Sequence, residues 1–230
     1  MKKIGNEAIL KRINYFQKKY NMKEKIAEML LNIEAVKLSP SKPFTWASGW
    51  KSPIYCDNRK ALSYPEVRDY VRDAYVRVIK KEFPDTEVIA GVATGAIAQA
   101  ALVAQALNLP MVYVRSAAKA HGMTNLVEGV VKAGQKVVVI EDLISTGGSS
   151  LKAVQALREM GCEVLGLVAI FSYNFDVASQ SFEQEKCKLL TLSDYQTLNQ
   201  IGLQKGFITE NDLDNLKKWR ENPNTWGQNL

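Results

Sequence analysis

The chain has 230 residues, 47% hydrophobic and 23% charged, with a formal net charge of +6. That length and balance suit one α/β domain with a sizeable core, and no run approaches the roughly 18 apolar residues of a membrane span. Cys56, Cys162 and Cys187 form no CxxC pair and no even disulfide framework, and His121 is the one histidine. A structural zinc site is therefore disfavoured, and the cysteine usage fits a reducing cytoplasm.

Residues 1–21, "MKKIGNEAILKRINYFQKKYN", are basic but lack the continuous apolar core of a secretory signal. Ile9, Ile13, Phe16 and Tyr20 share one face of a short amphipathic helix, read as packing on the domain or on a partner subunit. Met22 opens a second helical pattern, expected over 22–37. The Pro-, Ser- and Gly-rich stretch from Lys37 to Pro65 reads as loop with short strands, and 65–82 returns to helical spacing. An alternation follows: strand "EVIAGVA", helix "GAIAQAALVAQALN", strand "MVYVR", polar connection "SAAKAHGMTNLVEG", strand "QKVVVIED", helix "GSSLKAVQALREMG", strand "EVLGLVAIFSY". The strands are runs of Val, Ile and Ala, which predicts a parallel sheet covered on both faces and a doubly wound α/β fold. Two more helices are expected near the end, opened by Ser-Asp and Thr-Glu cap signals.

The segment "VVVIEDLISTGGSS", residues 137–150, carries the chemistry. Ligands of open parallel sheets gather beyond the carboxyl ends of strands, where Glu141 and Asp142 are expected. Gly147 and Gly148 let the backbone turn and aim its N–H groups inward. The hydroxyls of Ser145, Thr146 and Ser149 add donors, and the start of the next helix adds its positive dipole end. The result is a phosphate cradle that is neither a Walker A loop nor a GxGxxG fingerprint. Carboxylates repel phosphate, so the acid pair must meet another part of the same ligand. Ribose hydroxyls or a Mg²⁺ ion are the candidates, and the ligand reads as a sugar phosphate. Net positive charge fits a strongly anionic small molecule as well as it fits nucleic acid.

This segment resembles the ribose 5-phosphate and pyrophosphate recognition signature of the type I phosphoribosyltransferases. Four further stretches resemble the orotate phosphoribosyltransferases among them: "PFTWASGWKSPIYCDNRKALSYP" their amino-terminal hood, "GVATGAIAQA" their pyrophosphate loop, "YVRSAAKAHG" their mobile catalytic loop, and "LLTLSDYQTL" a late segment. The resemblance implies a central parallel sheet flanked by helices with a small N-terminal hood. On that reading residues 1–21 are a helical extension, 22–205 the phosphoribosyltransferase domain with its hood over about 22–65, and 206–230 a helical tail. It also implies Mg²⁺-dependent transfer of ribose 5-phosphate from phosphoribosyl pyrophosphate (PRPP) to orotate, giving orotidine 5′-monophosphate and pyrophosphate, in pyrimidine biosynthesis. A cytoplasmic homodimer that binds neither nucleic acid nor membrane is expected.

Residue by residue, the resemblance assigns Arg115, Lys119 and His121 to the pyrophosphate, on a loop that reaches the neighbouring subunit's site. Glu141 and Asp142 would hold the ribose hydroxyls, and Asp142 joins the three loop residues as catalytic. Leu143 and Ile144 lie within the PRPP signature, Thr146, Gly147, Gly148 and Ser149 would bind the 5-phosphate, and Thr94 and Gly95 would approach pyrophosphate through backbone N–H groups. Ser145, Phe44 and Lys51 are assigned to orotate. Mg²⁺ would be held mainly by PRPP near Glu141 and Asp142, with no definite protein ligand. Some members carry lysines where this chain has Ala47, Thr94 and Ser116, and Arg59 or Lys51 would then compensate. Two alternatives stand beside this reading: a phosphoribosyltransferase for another base, and a phosphoribosyltransferase-like regulator that binds nucleic acid. The intact "RSAAKAHG" favours the enzyme over the regulator.

Overall fold

The computed structural model describes residues 21–46, 49–117 and 126–227. The expectations for residues 1–20, Ala47, Ser48, Lys119 and His121 fall outside that range. Six strands form the central sheet: β5 (Val88–Val92), β6 (Met111–Val114), β7 (Val127–Glu128), β8 (Lys136–Ile144), β9 (Glu163–Ser172) and β10 (Leu189–Asp194), in the order β10-β9-β8-β5-β6-β7. All neighbours pair in parallel except β7, which runs antiparallel to β6 at one edge.

Alternation along the strands builds two cores. Ile89, Val138, Ile140 and Val168 face one side, where they join Ile26 and Leu30 of α1 (Met22–Asn32), Tyr75 of α2 (Pro65–Glu82) and Val103 of α3 (Ile97–Leu107). Val88, Ala90, Val137 and Val139 face the other, against Leu151, Val154 and Leu157 of α4 (Gly148–Glu159) and Phe182 of α5 (Asp176–Gln184). Both faces are covered, as the unbroken apolar runs required.

The connections diverge from the middle of the sheet. β5 leads through α3 to β6 on one side, and β8 leads through α4, β9 and α5 to β10 on the other. The crevice above the carboxyl ends of β5 and β8 is thus a topological switch point, where open α/β sheets bind ligands.

The expected helix over 22–37 stops at Asn32, and 36–38 instead form strand β1 (Val36–Leu38), which pairs with β4 (Ile54–Cys56). A second hairpin, β2 (Phe44–Thr45) with β3 (Lys51–Ser52), completes the hood, and a 3-10 turn over Asn58–Ser63 leads into α2. α1 packs against β10 and α6 (Tyr195–Gln204), so it belongs to the sheet layers and not to the hood.

The segment expected as a tail is also part of the core. In α7 (Glu210–Glu221), Leu216 and Trp219 are fully buried. The Trp219 ring lies 5.4–5.6 Å from the rings of Trp46, Tyr173, Phe175 and Tyr195. Both expected caps are present: Asp194 accepts from the N–H of Thr197, and Thr209 forms a capping box with Asp212. No helix among the described residues is long and apolar enough to cross a membrane.

Candidate active site

β8 does not end at the acid pair. It pairs with β9 as far as Ile144↔Ser172, whereas its pairing with β5 stops at Gly91↔Ile140. Glu141 and Asp142 therefore lie just beyond the last β5 partner, on the strand edge that opens on the crevice. The sequence reading ends this strand at Asp142, two residues short of its end at Ile144.

The two acids have different surroundings. Glu141 is buried, with Oε2 accepting from the Ser150 hydroxyl at 2.7 Å and Oε1 from the N–H of Asp142 at 2.9 Å. Burial, followed by the charge of Asp142, pushes Glu141 up to about 8. Asp142 is half-buried and lines a cavity of about 320 Å³ with Asp57, Arg59, Thr94, Gly95 and Ser149. Glu141, expected with Asp142 at the ribose hydroxyls, borders the same cavity with both its oxygens engaged inside the protein.

Two side chains from distant elements pin this strand segment. The Tyr75 hydroxyl donates to the Glu141 carbonyl at 2.6 Å, and Asn58 Nδ2 donates to the Asp142 carbonyl at 2.7 Å. Asn58 is itself buried and accepts from the Cys56 thiol, which burial holds well above its usual range and hence neutral. Sequence reasoning missed Tyr75, Asn58 and Ser150. Their only signal is a polar group at a position that packing buries, which pattern alone does not reveal.

The loop after β8 has the expected shape. Gly147 takes φ = 84° at the start of α4, and a Cβ there would meet Phe182 at 2.8 Å. Glycine alone satisfies both conditions at low cost. Thr146, Gly148 and Ser149 are exposed around this turn, with open space above Gly148. The N–H groups of the first turn of α4 have no intrahelical acceptors and, with the helix dipole, suit an anion. Ile144, assigned with the PRPP segment, is instead a fully buried core residue whose carbonyl accepts from Tyr173 N–H at 3.1 Å. On the β5 side, Gly95 comes so close to Asp142 that a Cβ would lie 2.6 Å from its Cγ.

Beside Ser145 lies an aromatic cavity of about 300 Å³ lined by Trp46, Tyr55, Leu143, Ser145 and Tyr173. Its walls come from the hood, from β8 and from Tyr173 just after β9, and its size suits a single heterocycle. Phe44 and Lys51 do not line it. Phe44 packs on Tyr55 at 5.7 Å between ring centroids, and Lys51 Nζ donates to Thr45 Oγ1 at 3.1 Å.

Arg115 follows β6. Its guanidinium reaches Glu128 of β7 at 3.5 Å and lines a different cavity, of about 620 Å³, with Ser116, Gly148 and Ser149. The structure thus gathers Asp142, Thr94 and Gly95 around one cavity and Leu143 and Ser145 around the adjoining one. Arg115 lines a third cavity, which shares Val92, Ala93 and Ser149 with the Asp142 cavity and so adjoins it as well.

A doubly wound sheet whose switch point carries a glycine turn suited to an anion, beside a carboxylate that faces the crevice, is the arrangement of a nucleotide- or sugar-phosphate-handling domain. The family model described as "Phosphoribosyl transferase domain" matches residues 63–204. The chain is 57% identical over 202 residues to the orotate phosphoribosyltransferase of Porphyromonas gingivalis, covering 88% of this chain and 96% of that one. It is 56% identical over 206 residues to that of Bacteroides fragilis, covering 90% and 97%. Among solved structures, the orotate phosphoribosyltransferase of Aeropyrum pernix superposes with a TM-score of 0.68 at 28% identity, over 78% of this chain and 97% of that one. The chain belongs to the orotate phosphoribosyltransferase family.

Proposed function

We propose that the protein transfers ribose 5-phosphate from PRPP to orotate, releasing pyrophosphate and forming orotidine 5′-monophosphate, as the names of its relatives imply. The observation that carries this reading is the adjacency of three subsites around the carboxyl end of β8. Asp142 stands between the anion-binding turn at Gly147–Ser149 and the crevice at Thr94–Gly95, with the aromatic cavity opening at Ser145.

In this mechanism the 5-phosphate takes the free N–H groups of the α4 N-terminus and the hydroxyls of Thr146 and Ser149. Asp142 accepts from the ribose hydroxyls. As the bond from C1 to pyrophosphate breaks and the base nitrogen approaches, positive charge develops on the ribose, and a fixed carboxylate at short range opposes it. Glu141 serves from inside: its carboxyl group fixes the Asp142 N–H and ties it to Ser150 of the phosphate helix. The flat base lies against Trp46, Tyr55 and Tyr173, with Ser145 hydrogen-bonded to it.

The residues present fit a Mg²⁺ ion that arrives on the donor. Asp142 and Asp57 offer hard oxygen donors, whereas the described residues contain no cluster of three metal-ligating side chains. Bound magnesium would offset charge on the departing pyrophosphate. Arg115, Lys119 and His121 would act on the pyrophosphate of a neighbouring protomer in a homodimer. The three free cysteines are in keeping with a cytoplasmic enzyme.

The test is base selectivity. Purified protein with PRPP and Mg²⁺ is offered orotate, uracil or hypoxanthine, and consumption of each base is followed by absorbance. Turnover confined to orotate supports the proposal. Turnover with another base alone, or none with any base together with salt-sensitive nucleic-acid binding, refutes it.

A further inference from the structure

Among the described residues, Arg59 is the one cationic side chain in the lining of the cavity above Asp142, Thr94 and Gly95. The anion to be accommodated there carries several negative charges, while Asp57, Glu141 and Asp142 also border the space. Backbone N–H groups of the Thr94–Gly95 turn supply dipoles but no net charge. A cation at the rim is what the electrostatics of this cavity call for.

Arg59 is well placed for that role. It belongs to the 3-10 turn that begins at Asn58, and Asn58 is anchored on the Asp142 carbonyl at 2.7 Å. The turn and the acid strand are therefore held in fixed relation across 84 residues of sequence. Arg59 Nε donates to Asp57 Oδ1 at 2.7 Å, which orients the guanidinium. Its two terminal nitrogens have no acceptor among the described residues. The pair with Asp57 is not a strong structural device, because the Arg59 side chain is 61% exposed and surface ion pairs contribute little to stability. Lys51, the other cation considered for this task, is engaged with Thr45 and does not line the cavity.

We propose that Arg59 binds the pyrophosphate group of PRPP, with its terminal nitrogens donating to phosphate oxygens, and stabilises that group as it leaves. Asp57 acts through Arg59 as a positioning residue. The inference rests on the proposed function and adds a residue from the hood side of the site. A planar guanidinium already oriented through Nε can donate two N–H bonds to a phosphate at small entropic cost.

The experiment compares wild type with Arg59→Ala, Arg59→Gln and Arg59→Lys, after circular dichroism confirms that each is folded. KM for PRPP, KM for orotate and product inhibition by pyrophosphate are measured. Loss of one charge-assisted contact predicts that Arg59→Ala lowers kcat/KM for PRPP by about 10- to 100-fold and raises the pyrophosphate inhibition constant by a similar factor. KM for orotate should move less than about twofold, and Arg59→Lys should recover part of the loss where Arg59→Gln does not. A purely structural role would not shift pyrophosphate inhibition selectively. If the wild type turns over and Arg59→Ala keeps both pyrophosphate-linked parameters within twofold, Arg59 is not a ligand and this inference alone fails. If the wild type does not use orotate and PRPP at all, the functional reading fails and takes the inference with it.

Discussion

Replacing Gly95 by alanine should disable the site while sparing the fold. The added Cβ would lie 2.6 Å from Cγ of Asp142, against 3.4 Å where ordinary contact begins. The carboxylate or the loop must therefore retreat by about 0.8 Å. The carboxylate is the softer partner, since it ends a side chain that faces a cavity and can rotate. Stability should accordingly fall by no more than about 1–3 kcal/mol, the usual cost of overpacking. Catalysis should suffer more, because a displacement of roughly 1 Å at a reacting group costs on the order of 100-fold. Steady-state kinetics with varied PRPP, alongside a urea melt of the same preparation, separate the two effects. A Gly95→Ala protein with kcat/KM for PRPP within twofold of wild type would refute the idea that Asp142 acts from this position.

Three other substitutions probe the surrounding structure. Trp219→Ala removes a fully buried ring and should cost about 3–5 kcal/mol in urea denaturation, with KM for orotate raised because Trp46 and Tyr173 lose their backing; Trp219→Phe should cost much less. Ser145→Ala should raise KM for orotate several-fold and leave KM for PRPP near its wild-type value, as read from the two saturation curves. Glu141→Gln tests the buried carboxyl group through pH. Glu141 titrates near 8 in the folded protein, above the 4.5 of an ordinary glutamate, so the folded state holds this proton more tightly. Its contribution to stability is full below about 4.5 and is lost as pH rises through about 8, with each pH unit in that window worth at most about 1.4 kcal/mol. The glutamine variant should lack that decline, so the stability difference between the two proteins, from urea melts at several pH values, should change steadily across the window.

The sheet and the phosphate turn were legible because their physics is local. Fully buried parallel strands demand unbroken apolar runs, and "STGGS" before a helix demands glycine at the position that takes φ = 84°. Helix α2 was read with both its ends because Pro65 marks its first turn. What pattern did not show depends on tertiary partners. The strand over Leu189–Asp194 was placed only within a late segment, since a short Leu-rich run has no period of its own until β9 pairs with it. Helix α5 lacked a side-chain cap to mark its start. Trp219 sits in a helix with a polar average, and nothing local foretells that its ring will close the aromatic cluster under the cavity beside Ser145. In the site itself, the acid pair was visible but its division of labour was not. Only the folded chain brings Ser150 onto Glu141 and leaves Asp142 facing the crevice.

On the proposed function, Asp142 faces the ribose of PRPP during transfer to orotate. The most direct measurement is pyrophosphate release from PRPP with orotate and Mg²⁺, in wild type and in Asp142→Asn. The wild type should release one pyrophosphate per orotate consumed, and the variant should be slower by at least about 100-fold. An Asp142→Asn enzyme as fast as wild type, or a wild type that leaves orotate untouched, would contradict it.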